Sequence, residues 1–306
     1  MSVHRTPITS REAWLAKRAE NIGASEIAAL FGCHPYRTAL QLYAEKTGVA
    51  RTAPASAVLE RGHILEPAVA EMARRERPDW RIEKASDYLS APEWRLGCTP
   101  DFWVDCPRRG PGVLQCKTVA KPVYDETWAD GPPLWVLLQT LQEQMLAGVA
   151  WGAVGVLITS TYTVAGALHD FARHEATEAR IIAAARAFWS DLEAGRPPQP
   201  DFDRDGETIR ALHPQDNGAI LDLSGDNRLP ELLAQYETYA AMGRRAEKEL
   251  KRVKAEIAAK LGDAAGAVLP GWRIAFPTRQ RAGYEVKPTR YRELRVTRQA
   301  ETEQAA

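Results

Sequence analysis

Apolar positions recur at helical spacing in several stretches of the chain. Between residues 57 and 75, Leu59, Ile64, Leu65, Val69 and Met72 fall on one stripe and predict an amphipathic helix, with Glu66 immediately before Pro67. Ser10 reads as the N-cap of an earlier helix that runs through Trp14 and Leu15 to Arg18. A second short helix is predicted from Ser25 to Phe31, stopped by Gly32, and a third from Thr38 to Gly48 with Leu40, Leu42 and Tyr43 as its apolar positions. Residues 134–148 predict a helix carrying Gln139, Gln142 and Gln144, and residues 176–195 a long amphipathic helix ended by Arg196-Pro197-Pro198. The β-branched run over residues 151–162 predicts a buried strand, residues 164–174 another, and residues 80–97, which alternate weakly, one or two more. Residues 119–133 read as irregular.

The order helix, hairpin, helix, strand predicts an α/β core with a mixed central sheet flanked by helices, over residues 1–200. Past Asp201 the composition changes. A long charged helix is predicted over residues 229–261, then a break over 262–271, then strands over 272–296. This appendage, residues 201–306, carries basic clusters that suit a phosphate backbone (Arg244, Arg245, Lys248, Lys251, Arg252, Lys254, Lys287, Arg290) or, more commonly, a solvated helix face.

Chemistry concentrates in residues 99–118. Phe102, Trp103 and Val104 form one predicted strand and Val113 and Leu114 begin another that ends in Gln115-Cys116-Lys117, with Pro107, Gly110, Pro111 and Gly112 between them. In such a hairpin Asp101 lies near Gln115, and Gln115 and Lys117 share a face because side chains alternate with period two. A carboxylate, an amide oxygen and an ammonium then converge, which suits hydrolysis of a phosphodiester around a hard cation. Taken alone, the same residues also make an ordinary surface hairpin. Ser25 near a helix N-terminus, with Arg18 a short segment upstream, suits an anion; the plainer reading is a helix cap and a solvated arginine. His63 precedes Glu66 by three, but one histidine and one glutamate do not make a zinc site.

Net charge adds little: 40 basic residues balance 40 acidic ones, so any nucleic-acid contact must come from local clustering. Cys33, Cys98, Cys106 and Cys116 form no CxxC pair, which argues against a zinc ribbon or a disulfide framework. The first residues have no apolar core of a signal peptide, and no apolar run reaches membrane-spanning length, so a cytoplasmic location is expected.

In order along the chain come Trp14…Arg18…Ile22-Gly23-Ala24-Ser25, Glu45-Lys46-Thr47-Gly48, Gly62…Leu65-Glu66-Pro67, Thr99-Pro100-Asp101, Gln115-x-Lys117-Thr118 and a glutamine-rich helix ending Gln144-Met145…Gly148. Together they resemble the YqaJ-type viral recombinases, related to lambda-type exonucleases within the PD-(D/E)xK nuclease superfamily, over residues 10–200. The resemblance implies Mg²⁺-dependent (or Mn²⁺-dependent) digestion of one strand of duplex DNA, 5′ to 3′, leaving a 3′ overhang for a single-strand annealing protein, by a ring-shaped trimer or tetramer. It implies Asp101 as the central metal ligand, Glu66 as a second carboxylate, and the carbonyl of Cys116 as a backbone ligand. Lys117 would hold the attacking water, Arg18 and Ser25 the terminal 5′-phosphate, and Gln139 or Gln142 the nucleophile side. Where the family carries an acid, this chain has Gln115, which brings no charge to a metal. Either this glutamine is natural, with weaker activity, or it is a Glu→Gln change that stalls turnover. A DNA-end-binding protein with a degenerate site is therefore the alternative, and an interaction protein built on the long 229–261 helix a third class.

Overall fold

A computed structural model describes residues 2–50, 57–281, 283, 288 and 290–297, the side chain of Leu59 excepted. In chain order the elements are β1 (His4–Pro7), α1 (Arg11–Glu20), β2 (Ile22–Gly23), a 3₁₀ helix (Ile27–Phe31), α2 (Ala39–Lys46), α3 (Ala57–Glu76), β3 (Arg81–Lys84), β4 (Asp87–Ala91), β5 (Leu96–Cys98), β6 (Phe102–Cys106) and β7 (Gly110–Ala120). They continue with α4 (Lys121–Thr127), α5 (Leu134–Ala147), β8 (Trp151–Thr159), β9 (Val164–Ala172), α6 (Glu175–Glu193), α7 (Gly206–Leu212), α8 (Leu229–Leu261), β10 (Gly266–Leu269) and β11 (Trp272–Ala275). The chain divides into two compact units, Met1–His213 and Pro214–Ala306.

In the first unit a five-stranded sheet runs β3-β6-β7-β8-β9. It is mixed: β7 and β8 are parallel and the other pairs antiparallel. Parallel neighbours need a crossover, and α4 and α5 supply it. Alternation sorts the two faces. Leu114, Cys116, Ala153 and Leu157 pack with Val69, Ala70 and Ala73 of α3, whereas Val154, Val156 and Ile158 pack with Trp128 and Val136 on the other side. Helix α3 lies close to the sheet because Gly155 faces it; a Cβ there would stand 2.8 Å from Val69. A second sheet, β1-β4-β5-β2, borders a core in which Ile22, Ile27, Leu42 and Leu96 meet Leu138 and Met145 of α5 and Ile181 and Phe188 of α6.

Several elements differ from their sequence-based expectation. Residues 80–97 hold three strands, β3, β4 and the start of β5. β7 does not end at Lys117 but continues to Ala120 on the edge of its parallel partner, and α4 follows at once, so residues 119–133 are not irregular throughout. The predicted 25–31 helix is a five-residue 3₁₀ turn that begins at Ile27, with Glu26 at its N-cap. Thr38 caps α2 in a full capping box with Gln41, and its hydroxyl also donates to buried Asp205 at 2.6 Å, so the residues just past 200 pack within the first unit.

In the second unit α8 spans 33 residues with none buried. The break predicted over 262–271 contains β10, paired antiparallel with β11 through Leu269↔Trp272. β11 ends at Ala275, and among the described residues beyond it there is no further strand. Lys287 lies outside the described residues. No described helix is long and apolar enough to cross a membrane.

Candidate active site

The β6–β7 hairpin sets Phe102 opposite Leu114, which brings Asp101, one residue before β6, beside Gln115. Asp101 Oδ2 accepts two hydrogen bonds, from the Gln115 amide nitrogen at 2.6 Å and from the Cys116 backbone N–H at 2.8 Å. Gln115 and Lys117, two residues apart on one strand, both face α5. There Gln139 Nε2 donates to Gln115 Oε1 at 2.9 Å, and Lys117 Nζ donates to Gln139 Oε1 at 2.9 Å. The result is an unbroken row, Lys117 to Gln139 to Gln115 to Asp101, with an ammonium at one end and a carboxylate at the other.

The two glutamines of α5 separate cleanly. Gln139 belongs to this row, whereas Gln142 is fully buried elsewhere, donating its amide to the carbonyls of Ile22 at 3.0 Å and Gly97 at 3.1 Å. Gln142 thus ties α5 to β2 and β5 rather than facing Lys117. Three residues along an α-helix turn the side chain through about 300°, so helical spacing alone gives two such residues neighbouring but distinct partners.

Glu66 projects from α3, on the opposite face of the five-stranded sheet. Its Oε2 accepts from Lys84 Nζ at 2.5 Å and its Oε1 pairs with exposed His63 at 2.9 Å. Its charge still reaches Asp101. Burial raises the Asp101 carboxyl above its ordinary range, Lys117 pulls it back down, and Glu66 pushes it up again. Lys84, which also lies 4.7 Å over the Phe102 ring, is a site neighbour that the sequence patterns did not mark.

Glu143 is the other unmarked residue. It stands one turn after Gln139 and takes a hydrogen bond from Gln139 Nε2 at 3.1 Å, while its second oxygen is buried with no hydrogen-bond partner in the protein. Burial first, and then the negative charge of Asp101, push its carboxyl well above the usual glutamate range. The i, i+4 spacing from Gln139 was the available signal.

Arg18 and Ser25 lie around a different buried group. Arg18 is paired with Glu26 and stacks over Trp14 at 4.6 Å. Glu26 also takes Arg37 at 3.1 Å, Lys46 at 2.9 Å and the Gly23 backbone N–H at 2.9 Å. Ser25 is exposed, and its carbonyl accepts from His34 Nε2 at 3.1 Å. Ser25 does not stand at a helix N-terminus: the 3₁₀ turn starts two residues later and is too short to focus an anion.

The atoms that the resemblance assigns to a metal are all oxygens: two carboxylates, a carboxamide and a backbone carbonyl. That chemistry fits a hard cation. Among the described residues no three His, Cys, Asp or Glu side chains group as a metal site, so a cation here would draw on the carboxamide and backbone oxygens as well as carboxylates. Gln115 is the weak member. It turns its nitrogen to Asp101 and gives its oxygen to Gln139.

Residues 13–150 match the family described as the YqaJ-like viral recombinase domain. An exonuclease structure, LHK-Exo in complex with dAMP, is similar at 20% identity with a TM-score of 0.50, covering 60% of this chain and 93% of that one. The alkaline exonuclease LHK-Exo from Laribacter hongkongensis is similar at 22% identity and a TM-score of 0.49, over 60% and 93% of the two chains. A phage-related exonuclease from Haemophilus somnus 129PT is 10% identical with a TM-score of 0.43, over 57% and 96%. At 20% identity the likeness to LHK-Exo in complex with dAMP speaks for the fold alone. No curated protein matches the chain.

Proposed function

From the premise that residues 13–150 form a YqaJ-like viral recombinase domain, we infer that the protein is a metal-dependent exonuclease that digests one strand of duplex DNA from its end, 5′ to 3′. The observation that carries this reading is the row Lys117–Gln139–Gln115–Asp101, which joins the hairpin and α5 at a half-buried edge.

Asp101 and Glu66 would hold Mg²⁺, or Mn²⁺ in its place, with the Cys116 carbonyl and the Gln115 amide oxygen completing an all-oxygen set. When bound, the cation neutralises phosphate charge and lowers the pKa of the attacking water. Lys117 orients that water and carries positive charge toward the phosphate, and Gln139 fixes where the Lys117 ammonium points. The Cys116 N–H fixes the Asp101 carboxylate. Arg18 and Ser25 receive the terminal 5′-phosphate. The guanidinium has five N–H donors, so holding Glu26 leaves it capacity for a phosphate oxygen.

The deciding assay compares blunt duplexes bearing a 5′-phosphate or a 5′-hydroxyl, in Mg²⁺ and in EDTA. Mononucleotide release only with Mg²⁺, faster from the phosphorylated end, is the expected result. Release unaffected by EDTA, or from 3′ ends alone, sinks the reading. Gln115 motivates one alternative, a DNA-end-binding protein with a weakened site; it predicts retention of duplex ends without release in either condition. A ring-shaped trimer or tetramer, handing its 3′ overhang to an annealing protein, accompanies the leading reading and is checked by light scattering of the full chain. The boundary at 200/201 between nuclease core and appendage is checked by limited proteolysis.

A further inference from the structure

Beside the proposed water-holding lysine stands a group of aromatic rings with no place in the chemistry above. His34 and Trp135 have ring centroids 6.0 Å apart, His34 and Tyr36 6.2 Å, and Tyr36 and Trp135 6.4 Å. Trp135, in the first turn of α5, is half-buried and lies under Lys117, whose Nζ is 5.4 Å from the ring centroid. Tyr36 is 81% exposed, unusual for so large a ring fixed next to others.

The loop that carries His34 and Tyr36 is held rigidly. His34 Nδ1 accepts the Tyr36 backbone N–H at 3.0 Å, and Nε2 donates to the Ser25 carbonyl at 3.1 Å. The Nδ1 bond needs a neutral imidazole, and burial together with the nearby Arg37 and Arg204 charges pushes the His34 pKa down to about 4. Arg204 Nη2 donates to the carbonyls of His34 at 3.2 Å and Pro35 at 3.1 Å, tying the loop to the residues before α7. The rings therefore do not depend on a ligand for their arrangement. They bridge the two ends of the candidate site, with Ser25 bonded to His34 on one side and Lys117 over Trp135 on the other.

A preordered cluster of rings with the Tyr36 face exposed, beside a phosphate-directed ammonium, suits one class of ligand, the nucleobase of a nucleotide whose phosphate lies at the site. Base–aromatic stacking tolerates any sequence, because every base has a π-face, and the ordering cost has already been met in the fold. We propose that His34, Tyr36 and Trp135 form a stacking platform that receives the terminal base of the strand being cut and so registers the first phosphodiester over Lys117. This proposal rests on the exonuclease reading and adds to it the part of the substrate that is gripped besides phosphate. The ligand class is a 5′-phosphorylated terminal nucleotide with an intact base, and Tyr36 and Trp135 are positioning residues.

The test uses the full chain in Mg²⁺ with duplexes whose first two linkages are phosphorothioates, so that binding is read without turnover. One duplex begins with 2-aminopurine and its counterpart with an abasic nucleotide. The wild-type chain is expected to bind the base-bearing end about tenfold more tightly than the abasic end, the lower range of one stacked base, and to quench 2-aminopurine by stacking. Tyr36→Ala should bring the ratio close to one and restore the fluorescence, whereas Tyr36→Phe, which keeps the ring, should behave as wild type. Tyr36 is a surface side chain, so circular dichroism of Tyr36→Ala should be unchanged. A ratio near one in the wild-type chain, or no difference between Tyr36→Ala and wild type, overturns the platform while leaving cleavage of ordinary duplex intact. Absence of binding to any duplex end overturns the exonuclease reading and the platform with it.

Discussion

Two buried acidic clusters lie in the first unit, and they are complemented in opposite ways. Around Glu26 the carboxylate meets Arg18, Arg37 and Lys46, Arg37 is shared with Glu45 at 3.2 Å, and Lys46 uses all three of its protons, on Glu26 and on the carbonyls of Arg18 and Asn21. The surrounding cations outweigh the cost of burial, and the Glu26 carboxyl is held far below the ordinary range. Around Asp101 the balance is reversed. Asp101 and Glu143 are both pushed upward, with Lys117 beside them, a neutral Gln115 between, and Lys84 held by Glu66. A cluster that satisfies its own charges is a brace. A cluster left short of positive charge has a use for a cation from outside, and this contrast is the electrostatic argument for a functional site at the hairpin.

Breaking the hairpin cluster should give the largest effect. Lys117→Ala is expected to lower Mg²⁺-dependent release by about 10²–10⁴-fold, the range for a positioned group acting on proton transfer, with the melting temperature nearly unchanged; single-turnover kinetics and calorimetry check the two halves. Breaking the brace should do the converse. Glu26→Ala leaves three cations around a hole and is expected to cost about 3–5 kcal/mol of stability, visible in denaturant unfolding before any effect on chemistry is considered. Gln115→Glu sharpens the contrast by restoring an acid to the deficient side; Mg²⁺-dependent cleavage should rise, and equal or lower activity would mark the glutamine as the working residue.

The smallest effect concerns pH. A depressed carboxyl such as Glu26 contributes stability above the ordinary glutamate value of 4.5, and that contribution is lost as pH falls below it. A raised carboxyl such as Glu143 acts with the opposite sign: the fold is most favoured where it is protonated, and stability is lost as pH climbs from 4.5 toward the raised value. Glu143→Gln should therefore raise the melting temperature by a few degrees at pH 7 and leave it unchanged at pH 4. An equal shift at both values would mean that packing, not charge, is responsible.

The hairpin was legible in the sequence because strand alternation is a local rule: it put Gln115 and Lys117 on one face whatever lay opposite. The partner on α5 was not. That helix is buried nearly all round, with Gln139, Gln142, Glu143 and Gln144 all inside, so no amphipathic stripe distinguishes the face that meets Lys117. The Glu26 brace was hidden for a related reason. Its charges come from Arg18 on α1, Glu26 just before the 3₁₀ turn, Arg37 in a loop, and Glu45 and Lys46 on α2, and nothing in their spacing says they converge. Short elements fared worst. β10 lies in a stretch whose glycines predict a break, and the turn after Ser25 predicts a longer helix because Gly32 marks an end without saying how far back the start lies.

The row from Lys117 to Asp101 has a direction. Each carboxamide has a donating end and an accepting end, and the ammonium dictates which way Gln139 must lie, which in turn dictates Gln115. Turning Gln115 so that its oxygen meets a cation would turn Gln139 as well and press an NH₂ against the lysine. A metal arriving at one end would thus be felt at the other, two side chains away, and the ¹⁵N resonance of the Lys117 ammonium is where that reversal would register.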